Sequence, residues 1–141
     1  MSGDFLDTNI FGYVFDGTAP DKRDRAAQIV GTALLGGNAV ISHQVVQETL
    51  HLLTARLRPV MPAERAASFF DSVLRPLWRV EASPALYVRA LETQQRYGFH
   101  FYDSLIVAAA IEGDCDRLLS EDLQHGQRIE GVTIENPFLV A

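Results

Sequence analysis

At 141 residues, with 48% apolar and 21% charged side chains, the chain has the size and balance of one ordinary soluble domain able to bury a core. One cysteine, Cys115, excludes an internal disulfide and a cysteine-based metal site. No apolar run approaches the ~20 residues of a membrane span, and the acidic stretch Met1–Asp7 does not resemble a secretory leader. A soluble, cytoplasmic protein with no membrane role is therefore expected. The net charge of −6 excludes a broadly basic nucleic-acid surface. Either the acidity is concentrated where cations bind, or nucleic acid is not the ligand.

In chain order, Phe5-Leu6 reads as a short first strand, followed at Asp7-Thr8-Asn9 by a turn or a helix start. Asp21 to Leu35 places Ala26, Ile29, Val30, Ala33 and Leu34 at helical spacing and stops at Gly36-Gly37-Asn38. Ala39-Val40-Ile41 predicts a buried strand, with Ser42 as N-cap of a helix carrying Val46, Leu50 and Leu53 towards Pro59. A further helix is expected over 63–74 and a third strand over 77–80. Ser83-Pro84 opens a helix to about Tyr97, ended by Gly98. Asp103 opens a strongly apolar helix closing near Gly113, and 116–119 and 132–134 supply two more strands. Alternating strands and helices predict one α/β domain over 1–141, with a central parallel sheet of about five strands covered on both faces.

In open sheets of this kind, sites form beyond the carboxyl ends of the strands, where strand order reverses. Asp7 follows the first strand, Glu48 lies about two turns into the helix after the second, Asp103 heads the apolar helix, and Asp122 follows Arg117-Leu118-Leu119. All four are expected at one sheet edge. Crowded carboxylates repel, so a fold retains them where a cation compensates. An all-oxygen set without matching His or Cys suits Mg²⁺ or Mn²⁺ rather than zinc. Two such ions ~3.5–4 Å apart suit hydrolysis of a phosphodiester by activated water. Thr8, Asn9 and Ser120 stand beside the acids as neutral groups suited to orienting them.

Each acid also has an ordinary reading. Asp7-Thr8-Asn9 is common turn and capping chemistry, and Asp103 at a helix start gains ~0.3–1 kcal/mol from the helix dipole. Glu48 can be an exposed helix residue, and Asp122 a first-turn acid capped by Ser120. Four such coincidences at one edge are a weaker account than one shared site. His51 makes a Glu-x-x-His pair with Glu48, but di-iron chemistry needs a second pair, which is absent. His43, His100 and His125 form no ligand pattern, and Cys115 reads as structural. The arginines are spread over several helices, while Lys22 is the only lysine. Arg96-Tyr97 and His100-Phe101-Tyr102, just ahead of Asp103, are candidates for stacking or steering a nucleic acid. Phe69, Phe70 and Trp78 are assigned to the core.

Five segments carry a family resemblance: Phe5-Leu-Asp-Thr-Asn-Ile10, Val45-Val-Gln-Glu-Thr-Leu50, Tyr102-Asp-Ser-Leu-Ile-Val-Ala-Ala-Ala110, Leu118-Leu-Ser-Glu-Asp122 and Gly131-Val-Thr-Ile-Glu-Asn-Pro-Phe138. Together, in this order and spacing, they resemble the PIN-domain nucleases, and within them the VapC-type toxins of toxin–antitoxin pairs. The resemblance covers nearly the whole chain. It implies a three-layer α/β/α sandwich and a metal-dependent endoribonuclease. It also implies an RNA substrate, a cognate antitoxin and a homodimer. Asp7, Glu48 and Asp103 match the three strongest metal-binding acids and Asp122 the fourth, with Thr8, Asn9 and Ser120 supporting. The chain departs from the family at Glu121, where many members lack an acid. Asp122 is the favoured fourth ligand. The antitoxin is expected on an apolar groove formed by the helices of 43–58 and 63–74. Two alternatives remain: a catalytically silent PIN fold that binds RNA or protein, and a phosphorylated receiver domain. The receiver needs a lysine near its last strand, and Lys22 is not there.

Overall fold

In the computed structural model, which describes residues 3–139, the chain forms a six-stranded sheet in the order β3-β2-β1-β4-β6-β5. The strands are β1 (Asp4–Leu6), β2 (Ala39–Ser42), β3 (Trp78–Val80), β4 (Arg117–Leu119), β5 (Arg128–Ile129) and β6 (Val132–Glu135). The helices are α1 (Thr8–Val14), α2 (Pro20–Gly36), α3 (His43–His51), α4 (Ala63–Phe69), α5 (Arg75–Leu77), α6 (Pro84–Tyr97) and α7 (Phe101–Glu112). α3 widens into a π-helical segment at Leu52–Arg56, and Phe70–Leu74 forms a second one between α4 and α5. The result is an α/β/α sandwich.

Five strands are parallel, and the sixth, β5, pairs antiparallel with β6. The five parallel strands are those expected, and β5 is an addition at the edge. β5 has only two residues, too few to show alternation. It is created by a hairpin in which both Glu130 (φ 47°) and Gly131 (φ 90°) take positive φ, as a primed turn requires.

Local chemistry explains most boundaries. Ser42 and Ser83 accept hydrogen bonds from the Val45 and Leu86 amides at 3.4 and 3.1 Å, closing the N-termini of α3 and α6. α2 and α6 end at Gly37 and Gly98, both left-handed. Of the two readings of the Asp7 segment the helix start holds, with Asp7 the N-cap of α1. One expectation shifts. α7 begins at Phe101, capped by His100, so Asp103 lies within its first turn rather than opening it.

The core is centred on Phe5, Leu6, Ile41, Leu118 and Ile134 of the sheet. It includes α7, buried continuously from Ser104 to Ala110. A helix apolar on all sides is stable only inside the protein, so α7 is held rigidly with Asp103 at its entrance. Phe69, Phe70 and Trp78 pack against this core, and Cys115 is buried. No helix among the described residues is long and apolar enough to cross a membrane.

Candidate metal centre

The chain moves outward from β1 to β2 and β3 on one side of the sheet, then returns to β4 and β6 on the other. Strand order therefore reverses between β1 and β4, where an open parallel sheet forms its crevice. The residues immediately after these strands are Asp7 and Ser120. They join there: the Ser120 hydroxyl donates to Asp7 Oδ2 at 2.7 Å, and the Asp7 amide donates to the Leu119 carbonyl at 3.0 Å. Asp7 Oδ1 accepts from the Thr8 amide at 2.7 Å. This carboxylate is thus fixed by two donors and is only 6% exposed.

Glu48 reaches the same edge from α3. Its Oε1 accepts from the Thr8 hydroxyl at 2.9 Å and its Oε2 from the Gln44 amide at 3.3 Å. The Gln44 amide also donates to the Tyr102 carbonyl at 3.2 Å, tying α3 to the start of α7 beside Asp103. Asn9 Nδ2 donates to Asp122 Oδ2 at 3.1 Å, while the Asp122 amide donates to Ser120 Oγ at 3.1 Å. Segments from four parts of the chain are thereby linked through Thr8, Asn9, Gln44 and Ser120.

The charges act on one another. Burial first, then Asp122 and Glu48, push the Asp7 carboxyl up to about 7 against the donors Ser120 and Thr8. Asp103 is raised by burial and by Asp122 and Glu48, with His100 opposing. Among the described residues none of the four acids forms an ion pair with Lys or Arg. A divalent cation suits this uncompensated, all-oxygen set. Among the described residues no group of three or more His, Cys, Asp or Glu stands close enough together to hold a metal ion by itself. Water and substrate oxygens would complete the coordination, as is usual for Mg²⁺.

Glu121 has a different setting from Asp122. It accepts from Lys22 Nζ at 2.6 Å and from the Tyr13 hydroxyl, and the Lys22 ammonium lies 5.0 Å from the centre of the Tyr13 ring. Burial would raise its pKa, but these two donors hold it below the usual range. Its charge is balanced outside the acid cluster. The Lys22–Tyr13–Glu121 group and Gln44 escaped the sequence reading. Gln44 lies four residues before Glu48, a spacing that makes helix neighbours. Nothing local to the sequence joins Lys22 to Glu121.

His51 is exposed on α3. His100 stacks on Tyr102 with ring centres 5.9 Å apart, and Tyr102 is 58% exposed at the edge of the acid cluster. The Asp122 segment is not helical, so helix capping by Ser120 does not explain that acid.

An α/β/α sandwich with acids gathered at its switch point is the class that the fold and site define. The model of the PIN-domain family matches residues 5–128, and the chain belongs to that family. Solved structures agree at the level of fold. A toxin–antitoxin complex from Klebsiella pneumoniae is 19% identical with a TM-score of 0.69, covering 98% of this chain and 100% of that one. The DNA-bound VapBC of Salmonella typhimurium is 20% identical with a TM-score of 0.67, covering 97% and 99%. VapC20 of Mycobacterium tuberculosis, a sarcin–ricin-loop-cleaving toxin, is 21% identical with a TM-score of 0.58, covering 85% and 92%. No curated protein sequence matches the chain.

Proposed function

We propose that the chain, as a single PIN domain, is a divalent-metal-dependent endoribonuclease and the toxin of a VapBC-type pair acting in the cytoplasm. The observation that carries this reading is that Asp7 and Asp103 both feel the charges of Glu48 and Asp122 at the switch point, with no ion pair from Lys or Arg to any of the four among the described residues. Asp7, Glu48 and Asp103 would hold Mg²⁺ or Mn²⁺, with Asp122 as the fourth acid. The engagement of Glu121 with Lys22 and Tyr13 supports Asp122 over Glu121 in that role. When bound, the cation supplies Lewis acidity towards water and the phosphodiester.

The chain's own residues do the rest. Ser120 and the Thr8 amide hold Asp7, Thr8 and Gln44 hold Glu48, and Asn9 holds Asp122, so the carboxylates need no reordering when RNA arrives. Below about pH 7 Asp7 keeps its own proton in the cation-free protein, and binding a cation would release it. The exposed Tyr102–His100 stack offers a flat face to an unpaired base. An RNA substrate is supported by the likeness to VapC20, a sarcin–ricin-loop-cleaving toxin. An antitoxin partner is supported by the toxin–antitoxin complexes of the same fold. A homodimer is part of the same reading.

Purified protein incubated with total RNA should cleave it with Mg²⁺ or Mn²⁺ and stop with EDTA. Asp7→Asn and Asp103→Asn should lose cleavage while circular dichroism shows the native fold. Cleavage persisting in both variants would place the chemistry elsewhere, and a folded protein inactive with either metal would favour a silent binding module.

A further inference from the structure

A cavity of about 630 Å³ lies between α1 with its following loop and the π-helical end of α3, lined in part by Asn9, Tyr13, Leu52, Arg56 and Arg58. That volume falls within the ~300–1,000 Å³ typical of small-ligand sites. It adjoins the acid cluster, because Asn9 lines the cavity and also donates to Asp122. α3 makes the same connection. Gln44, Glu48 and Leu52 follow one another at four-residue steps from α3 into the π-helical segment, which carries Arg56 on the cavity wall. Gly12 brings α1 close to this wall: a Cβ there would stand 3.3 Å from Leu52 Cδ1.

The charge of the wall is opposite to that of the molecule. The chain carries −6 overall, yet neither Arg56 nor Arg58 enters an ion pair among the described residues. Arg58 is anchored by donating to the Ala55 and Leu57 carbonyls, each at 3.0 Å. The acid on this wall, Asp16, already accepts from the amide and hydroxyl of Thr18. Two guanidiniums outside any ion pair, beside a tyrosine and a leucine, suit a phosphate joined to a flat ring. A purely apolar peptide would desolvate both guanidiniums without supplying an anion, which opposes that occupant.

We propose that this cavity is a nucleotide subsite of the RNA strand, adjacent to the carboxylates. The base of a nucleotide flanking the cut rests against Tyr13 and Leu52, and its phosphate lies on Arg56 and Arg58. The assignment rests on the nuclease reading. It is tested by fluorescence anisotropy with an end-labelled, unpaired RNA in EDTA, titrated over a range of salt, for the native protein, Arg56→Ala, Arg58→Ala and Arg79→Ala. Arg79 is an exposed control on the edge strand β3. The two cavity variants should bind more weakly, each lowering the slope of log affinity against log salt by about 0.7, while Arg79→Ala matches the native protein. The Arg56 side chain donates no hydrogen bond among the described residues, so Arg56→Ala keeps the test decisive if Arg58→Ala fails to fold. Native affinity and slope in a folded Arg56→Ala protein would overturn the subsite and leave the cavity to a protein segment. If that happens while native protein cleaves RNA with Mg²⁺, only the subsite falls. If native protein neither binds nor cleaves RNA, the nuclease reading falls as well.

Discussion

At the scale of single residues, Asp7 carries the sharpest consequence. Burial, with Asp122 and Glu48, moves its carboxyl from 3.8 to about 7. The folded state therefore binds this proton more tightly than the unfolded state. The associated stability is complete below pH 3.8 and is lost as pH rises to about 7. The shift corresponds to at most about 4 kcal/mol. Asp7→Asn cannot ionise, so without divalent metal its melting temperature relative to native protein should be higher at pH 8 than at pH 4. Thermal melts in EDTA at the two pH values check this, and an equal difference at both would remove Asp7 as the group responsible. Glu121 shows the contrary case, in which an acid beside the cluster is balanced by Lys22. Both partners of that pair are partly exposed, at 40% and 24%. Its weight for stability is therefore small, and its consequence is the direction in which Glu121 faces.

At the scale of elements, the arrangement depends on how three helices meet the sheet edge. α1 starts on Asp7 itself, so the acid caps the helix and faces the crevice at once. α3 and α7 are coupled through Gln44, whose amide spans Glu48 and the Tyr102 carbonyl. Gln44→Leu should preserve the fold, since its backbone stays helical, yet free both Glu48 and the first turn of α7. Residues that orient metal-binding side chains contribute roughly 10–100-fold to metal affinity or activity. A loss of that size is expected in Mn²⁺ affinity by calorimetry, and unchanged affinity in a folded variant would show that Thr8 alone positions Glu48.

At the scale of the whole molecule, four carboxylates separated by up to 115 positions, from Asp7 to Asp122, meet only when the sheet is assembled. The unfolded chain has no comparable site, so a cation that binds there stabilises the fold by mass action. At a concentration 100-fold above its Kd the gain is about 2.7 kcal/mol. At pH 8, Mg²⁺ should raise the melting temperature of native protein and leave that of Asp103→Asn nearly unchanged. An equal rise in both would mean that the ion acts on the acidic surface generally.

What the amino-acid sequence determined by itself was whatever depends on near neighbours. Helical spacing marked α2 and α3, an apolar run marked α7, Ser42 and Ser83 marked caps, and Gly98 marked a stop, because these signals act within a few residues. The sequence also nominated the four acids, Asp7 and Asp122 after strands, Asp103 near a helix start and Glu48 two turns into a helix. The tertiary structure alone decided the antiparallel β5, whose two residues are too short to show a period. It also decided the pairing of Lys22 with Glu121, 99 positions apart, and the cavity between α1 and the π-helical end of α3. Each of these arises from surfaces brought together by sheet order, and the packing of distant segments leaves no periodic trace in the chain.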